Sequence, residues 1–207
     1  MSAREHTLQG LLRGLEHAGT TAGREIDHIA LDSRQISRGG LFVALRGENF
    51  DARFFAPEVL QRGAAAVLVE DEAGSLELSR RYPERVVRVR NLRAALSRIA
   101  GRFYGHPSRQ LTLVGITGTN GKTTIAWYLA QVLQNLGMRA GVMGTLGAGP
   151  IAGDKGVGAE LDQTGYTTPD PVQVQKELYR MWQSGVQAVC MDCLLYTSDA
   201  ADELRSV

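Results

Sequence analysis

Leu111-Thr112-Leu113-Val114-Gly115-Ile116-Thr117-Gly118-Thr119-Asn120-Gly121-Lys122-Thr123-Thr124 is the stretch that decides the fold. Its first six residues are uncharged and rich in branched side chains, as suits a central parallel strand buried on both faces. A loop with Gly118 and Gly121 follows, where backbone N–H groups can approach phosphate oxygens without a Cβ in the way. From Lys122 to about Leu136 the pattern is helical and stops at Gly137. The positive end of that helix points at the same loop. The strict Walker pattern wants glycine five positions before Gly121, where Ile116 stands, so the match fails at one place while the chemistry survives. A glycine-rich strand–helix turn with a surface lysine is the bland alternative. Lys122 is placed to reach β- and γ-phosphates and the Thr123 hydroxyl to ligate Mg²⁺. The stretch therefore predicts ATP or a related nucleotide as ligand, held by Gly118, Thr119, Asn120, Gly121, Lys122, Thr123 and Thr124.

Downstream, Ala140–Met143 reads as a strand and the glycine-rich residues 147–165 as a loop. Thr168-Pro169-Asp170 opens a helix that ends near Ser184-Gly185, with Thr168 as cap and Pro169 first in the helix. Ala188–Met191 is a third strand. Two βα units in series predict a doubly wound α/β domain. Upstream, Leu8, Leu11, Leu12 and Leu15 repeat at helical spacing. Ile26–Leu31, Leu41–Leu45, Ala65–Val69 and Arg85–Val89 read as strands. Pro57 opens a helix that runs to about Arg62, and Asn91 caps another carrying Leu92, Leu96, Ile99 and Phe103. The change of rhythm at Gly105-His106-Pro107-Ser108 places a boundary, giving a mixed α/β domain over 1–107 and a P-loop domain over 108–192.

The whole chain has 207 residues, 43% hydrophobic and 22% charged, which is globular composition. Its net charge of +1 offers no general attraction to nucleic acid or anionic membrane. The arginines from Arg80 to Arg93 read as a solvated face. No stretch approaches 18 apolar residues, so the expectation is a cytoplasmic chain with no membrane partner. Cys190 and Cys193 are too few and too close for a disulfide framework, and no second pair offers zinc ligands. The four histidines are scattered outside every segment considered as a site.

Gly-Thr-Asn-Gly-Lys-Thr-Thr resembles the phosphate loop of the Mur ligase family, and three further segments match that family. They are Leu31-Asp32-Ser33-Arg34, then Gly40 through Asp51 with the continuation Ala56 to Val67, and Tyr166-Thr167-Thr168-Pro169-Asp170. Within the family the likeness is to the tripeptide synthetases, and it covers about residues 25–192. It implies that the domain over 1–107 binds a uridine nucleotide, with Leu31 and Ser33 touching it and Glu48, Asn49 and Phe50 forming a second contact stretch. It implies that Tyr166, Thr167 and Thr168 meet a muramoyl-dipeptide arm, and that Lys122 is catalytic.

The activity implied is an ATP-dependent amide ligation in peptidoglycan biosynthesis. A carboxylate of UDP-N-acetylmuramoyl-L-alanyl-D-glutamate would become an acyl phosphate, and the amine of a diamino acid would attack it. Arginine-rich, lysine-poor usage favours meso-diaminopimelate over L-lysine. ATP and Mg²⁺ are the implied cofactors. Neither Lys155 nor Lys176 matches the family's modified lysine, which falls with the C-terminal domain outside this chain. The nearest alternative is the D-alanyl-D-alanine-adding ligase, which usually has serine where Thr119 stands. Folylpolyglutamate synthetase shares only the phosphate loop. A different class of reading is an inactive, nucleotide-binding fragment.

In the family the third strand continues Met-Glu-Val-Ser-Ser-His, whose glutamate and histidine serve magnesium. Here Asp192 stands in place of the glutamate. Cys193 to Asp202 translates, codon by codon, a transposase sequencing adapter, tgt ctc tta tac aca tct gac gct gcc gac. A glutamate codon cut after "ga" and joined to the adapter's preceding c would become aspartate. Residues 193–207 are therefore expected to be an adapter-derived, non-native tail.

Overall fold

A computed structural model describes residues 5–21, 23–47, 50–144, 146–151 and 170–192. The chain divides into two compact units, one over Ala3–Phe103 and one from Tyr104 onward.

The first unit is a five-stranded sheet. Four parallel strands, β2 (His28–Ala30), β3 (Gly40–Ala44), β4 (Ala66–Glu70) and β5 (Val86–Val89), lie in sequence order. The two-residue β1 (His17–Ala18) closes the β5 edge antiparallel. Strands β3 and β4 sit inside the sheet and carry near-continuous buried side chains, the pattern of strands covered on both faces. One face packs Phe42, Val67, Val69 and Val86 against Val59 and Leu60 of α2 (Ala56–Gln61). Pro57 lies in the first turn of α2, where its missing N–H has no helical acceptor to lose. The helices α1 (Leu8–Leu11) and α4 (Leu92–Phe103) pack together.

Two local expectations change here, and one helix is added. The leucine spacing of residues 8–15 predicts a longer helix, but α1 is a single turn, and Gly14 takes a left-handed conformation just beyond it (φ 69°). Leu8, Leu11 and Leu12 are nonetheless fully buried. At the start of α4, the Leu92 N–H donates to Glu70 Oε2 at 2.8 Å. The cap thus comes from the end of β4, while Asn91 sits in the left-handed region (φ 51°) and offers its carbonyl to Ala95. The helix α3 (Leu76–Arg81) fills the β4–β5 connection.

The second unit is a four-stranded sheet in the order β6 (Thr112–Ile116), β9 (Ala188–Asp192), β7 (Ala140–Gly144), β8 (Gly147–Pro150). Strands β6, β9 and β7 are parallel, and β8 returns antiparallel along β7. The helix α5 (Lys122–Asn135) packs Ala126, Trp127 and Ala130 on one face of the sheet. On the other face α6 (Pro171–Gln183) packs Leu178 and Met181.

Here the corrections concern edges. Strand β6 lies at the border of the sheet among the described residues and is only partly covered, so the expectation of a strand buried on both faces does not hold. The position beside β6 went to β9, the strand latest in sequence, because α5 carries the chain over it to β7. Residues 147–150 form β8 rather than loop, since the backbone of β7 offers a free edge that poorly patterned residues can pair with. Asp170, not Thr168, caps α6: its Oδ1 accepts from the N–H groups of Val172 and Gln173, and Pro171 takes the first helical position.

Candidate functional site

Loop 117–121 is exposed and joins the C-terminal end of β6 to the first turn of α5. Two of its residues need glycine. Gly118 has φ 150° and Gly121 φ 76°, and a Cβ on Gly121 would meet only open space, so the demand at that position is conformational. Gly121 is the N-cap of α5, which turns the helix amides toward the loop. Lys122 Nζ donates to Gly118 O at 2.6 Å and approaches Thr119 O at 3.5 Å. The lysine side chain thus spans the loop and places its charge over the peptide groups that would face phosphate.

Thr123 lies one residue further along α5. Its Oγ1 donates to Asp192 Oδ2 at 2.5 Å. Asp192 ends β9, the strand beside β6, where it is in register with Ile116. The parallel pairing therefore brings the carboxylate to the mouth of the phosphate loop, as ligands of open α/β sheets gather at strand C-termini. Room for this carboxylate comes from Gly144 at the end of β7: a Cβ there would overlap the Asp192 side chain. A hydroxyl and a carboxylate are hard oxygen donors suited to Mg²⁺, which keeps several waters and shares nucleotide phosphates instead of needing a full protein cage. No group of three or more His, Cys, Asp or Glu among the described residues could hold a metal ion.

In the first unit, Leu31 and Ser33 follow β2 directly, and Ser33 O accepts from Arg62 Nη2 at 2.5 Å. Asp32 caps the short 3₁₀ turn Ser33–Gln35 through the Arg34 N–H, and hydrogen bonds from Arg34 hold its carboxyl below the usual carboxylate range. Phe50 lies beyond β3, exposed, with its ring 5.3 Å from that of Phe55. The Gly47 N–H donates to Phe50 O at 2.7 Å. Because β2 and β3 are parallel neighbours, Leu31, Ser33 and Phe50 all follow the C-terminal ends of adjacent strands. Glu48, Asn49, Tyr166, Thr167 and Thr168 lie outside the described residues.

Sequence reasoning missed Asp51 and Arg53, a pair that braces this region. Asp51 accepts from Arg53 Nη2 at 2.6 Å and from its N–H at 3.0 Å, and Arg53 also reaches Glu72 at 2.5 Å. The Arg53 guanidinium holds the Asp51 carboxyl low. The arginine-rich stretch is not a free basic patch: Arg88 pairs with Asp71 and Arg90 with Glu16. Trp127 is buried in the helix packing, while Tyr128 is exposed. No helix among the described residues is long and apolar enough to cross a membrane.

A parallel strand, a glycine loop and a helix that carries Lys-Thr at its start define an α/β protein of the P-loop class. Comparison with known proteins narrows this. Residues 25–104 match the Mur ligase family catalytic domain and residues 116–199 the Mur ligase middle domain. The chain is 44% identical over 167 residues to the UDP-N-acetylmuramoyl-L-alanyl-D-glutamate--2,6-diaminopimelate ligase of Pseudomonas putida, covering 81% of this chain and 32% of that protein. The ligase of the same name from Coxiella burnetii is 38% identical over 172 residues, 83% of this chain and 33% of that one. A solved structure of a ligase with that name superposes with TM-score 0.68 at 26% identity, over 93% of this chain and 36% of its own. The chain belongs to the Mur ligase family. It spans about a third of the length of the curated relatives it matches. The middle-domain match extends past residue 193 into the stretch read as adapter-derived, which lies outside the described residues.

Proposed function

We propose that this chain is the N-terminal and central part of an ATP-dependent ligase that adds meso-diaminopimelate to UDP-N-acetylmuramoyl-L-alanyl-D-glutamate in peptidoglycan synthesis. The observation that carries the reading is the Gly118–Lys122 loop at the start of α5, with Lys122 Nζ on Gly118 O and Thr123 meeting the carboxylate at position 192, Asp here in place of the family's glutamate. Names of the relatives supply the substrate class. In this reading the loop amides and Lys122 hold the β- and γ-phosphates, while Thr123 and Asp192 hold Mg²⁺. Bound there, the metal would screen charge on the transferring phosphoryl group. The protein's share is positioning and fixed positive charge, which is where phosphoryl transfer gains most. Leu31, Ser33, Glu48, Asn49 and Phe50 would take the uridine nucleotide, and Tyr166, Thr167 and Thr168 the peptide arm.

For the 207-residue chain itself, nucleotide binding without ligation is the second reading, favoured by its covering a third of its relatives. Incubation with ATP, Mg²⁺, the UDP-muramoyl dipeptide and meso-diaminopimelate separates the two. Tripeptide product supports ligase activity in the chain itself, and ATP binding without product supports the second reading. An uninterrupted read of the coding DNA across codon 192 tests the tail: Glu at codon 192 followed by Val-Ser-Ser-His supports the adapter origin, and the codons for 193–207 followed by a stop contradict it.

A further inference from the structure

The N-terminal ends of the first unit's parallel strands frame a cleft. A cleft of about 460 Å³ opens among Arg24, Arg38, Arg85, Glu25, Asp27 and the Gly63–Ala65 turn. Its position is unusual for this architecture. Asp27 precedes β2, Gly39 precedes β3, Ala65 precedes β4 and Arg85 precedes β5, so the cleft lies at the N-terminal ends of the strands. Leu31, Ser33 and Phe50 follow the C-terminal ends, where open α/β sheets ordinarily bind ligands. The cleft is therefore separate from the uridine-nucleotide stretch proposed above.

Backbone carbonyls hold two of the three guanidiniums. Arg24 Nη1 donates to Ala65 O at 2.9 Å, and Arg85 Nη2 donates to Ala64 O. Each bond uses one donor of a five-donor fork. Arg24 Nε is buried and has no hydrogen-bond partner. A buried N–H without an acceptor is costly and calls for one. Arg38 is exposed and lines the same cleft, its stem next to Gly63. Three guanidiniums against the two carboxylates of Glu25 and Asp27 leave the lining positive.

We propose that this cleft binds a phosphate group, either free or carried by a small metabolite, through Arg24, Arg38 and Arg85. Converging forks from three chain segments match the several oxygens of a tetrahedral dianion better than the two of a carboxylate.

The test is the unfolding midpoint of the Lys122→Ala chain against inorganic phosphate or glycerol 3-phosphate, at ionic strength balanced with chloride. Lys122→Ala weakens the P-loop as a competing phosphate site. A saturable rise on the order of 3–6 °C at ten times the dissociation constant is expected. Adding Arg38→Ala, an exposed position tolerant of change, should weaken the apparent affinity at least about tenfold, the loss of one charge-assisted contact. Arg24→Lys keeps the charge but loses the planar fork and should weaken it too. Equal response to both anions marks free phosphate as sufficient, and tighter glycerol 3-phosphate binding marks a carried group. A rise that is absent, or unchanged by Arg38→Ala and Arg24→Lys, would overturn the proposal and leave the nucleotide reading untouched.

Discussion

Thr123 Oγ1, in the first turn of α5, donates a 2.5 Å hydrogen bond to Asp192 Oδ2 at the end of β9, across 69 positions of sequence. The bond joins the loop that would hold phosphate to the carboxylate that would hold its metal. Replacing Asp192 with Asn keeps the shape and removes the charge. Magnesium-dependent ATP binding should fall about tenfold, while binding without magnesium should change little. Titrations of the parent chain and the variant with and without the metal read this difference directly.

Gly144 should behave as a positioning residue for the same carboxylate. A methyl group there would overlap Asp192, a short side chain with little freedom to retreat. Gly144→Ala should therefore reproduce the magnesium-specific loss of Asp192→Asn, with destabilisation of about 1–3 kcal/mol from overpacking. If ATP binding loses its magnesium dependence in neither variant, the carboxylate plays no part in the site.

Asp51 gives the first unit a stability term that depends on pH. Hydrogen bonds from Arg53 lower its folded-state pKa, so folding favours the ionised form. The stabilisation is fully present above the unfolded carboxylate value of about 3.9 and is lost as pH falls through the lower folded value. Asp51→Asn should lose roughly 1–2 kcal/mol at neutral pH, and the difference from the parent should shrink below about pH 4. Denaturant melts at pH 7 and pH 3 measure it.

Glu70 caps α4 from a distance, so Glu70→Ala should lower stability by about 0.5–2 kcal/mol. Glu70→Gln retains an acceptor oxygen and should lose less. Equal losses would show that carboxylate charge, not the hydrogen bond to Leu92, supports the helix.

What could be read from the sequence follows from how local each signal is. The helix start at Lys122 and its stop before Gly137 rest on glycines at conformations that only the immediate chain dictates, and α5 occupies Lys122–Asn135. The strands β2 to β5 stand out as apolar runs between turn residues, and the helix after Pro57 follows from the proline's fixed φ. Cys190 is buried in β9, and burial pushes its pKa up.

The parts that sequence could not show depend on partners far along the chain. That β6 borders the sheet among the described residues, that Gly147–Pro150 pairs with β7 and that Glu70 caps α4 are each decided by another element's position. The same holds in the site. Lys122 and Thr123 are legible from spacing alone, whereas the place of Asp192 beside them follows from the β6–β9 register. Asp51-Ala52-Arg53 looks like any polar turn until Glu72 and Ser75 close around the arginine.

Calorimetric titration of the 207-residue chain with ATP and Mg²⁺, alongside Lys122→Ala, tests the central claim most directly. The account expects saturable one-to-one binding that Lys122→Ala weakens about 10- to 100-fold, the loss of one charge-assisted phosphate contact. No binding by the parent chain, or equal binding by both, would contradict the assignment of this loop as the nucleotide site.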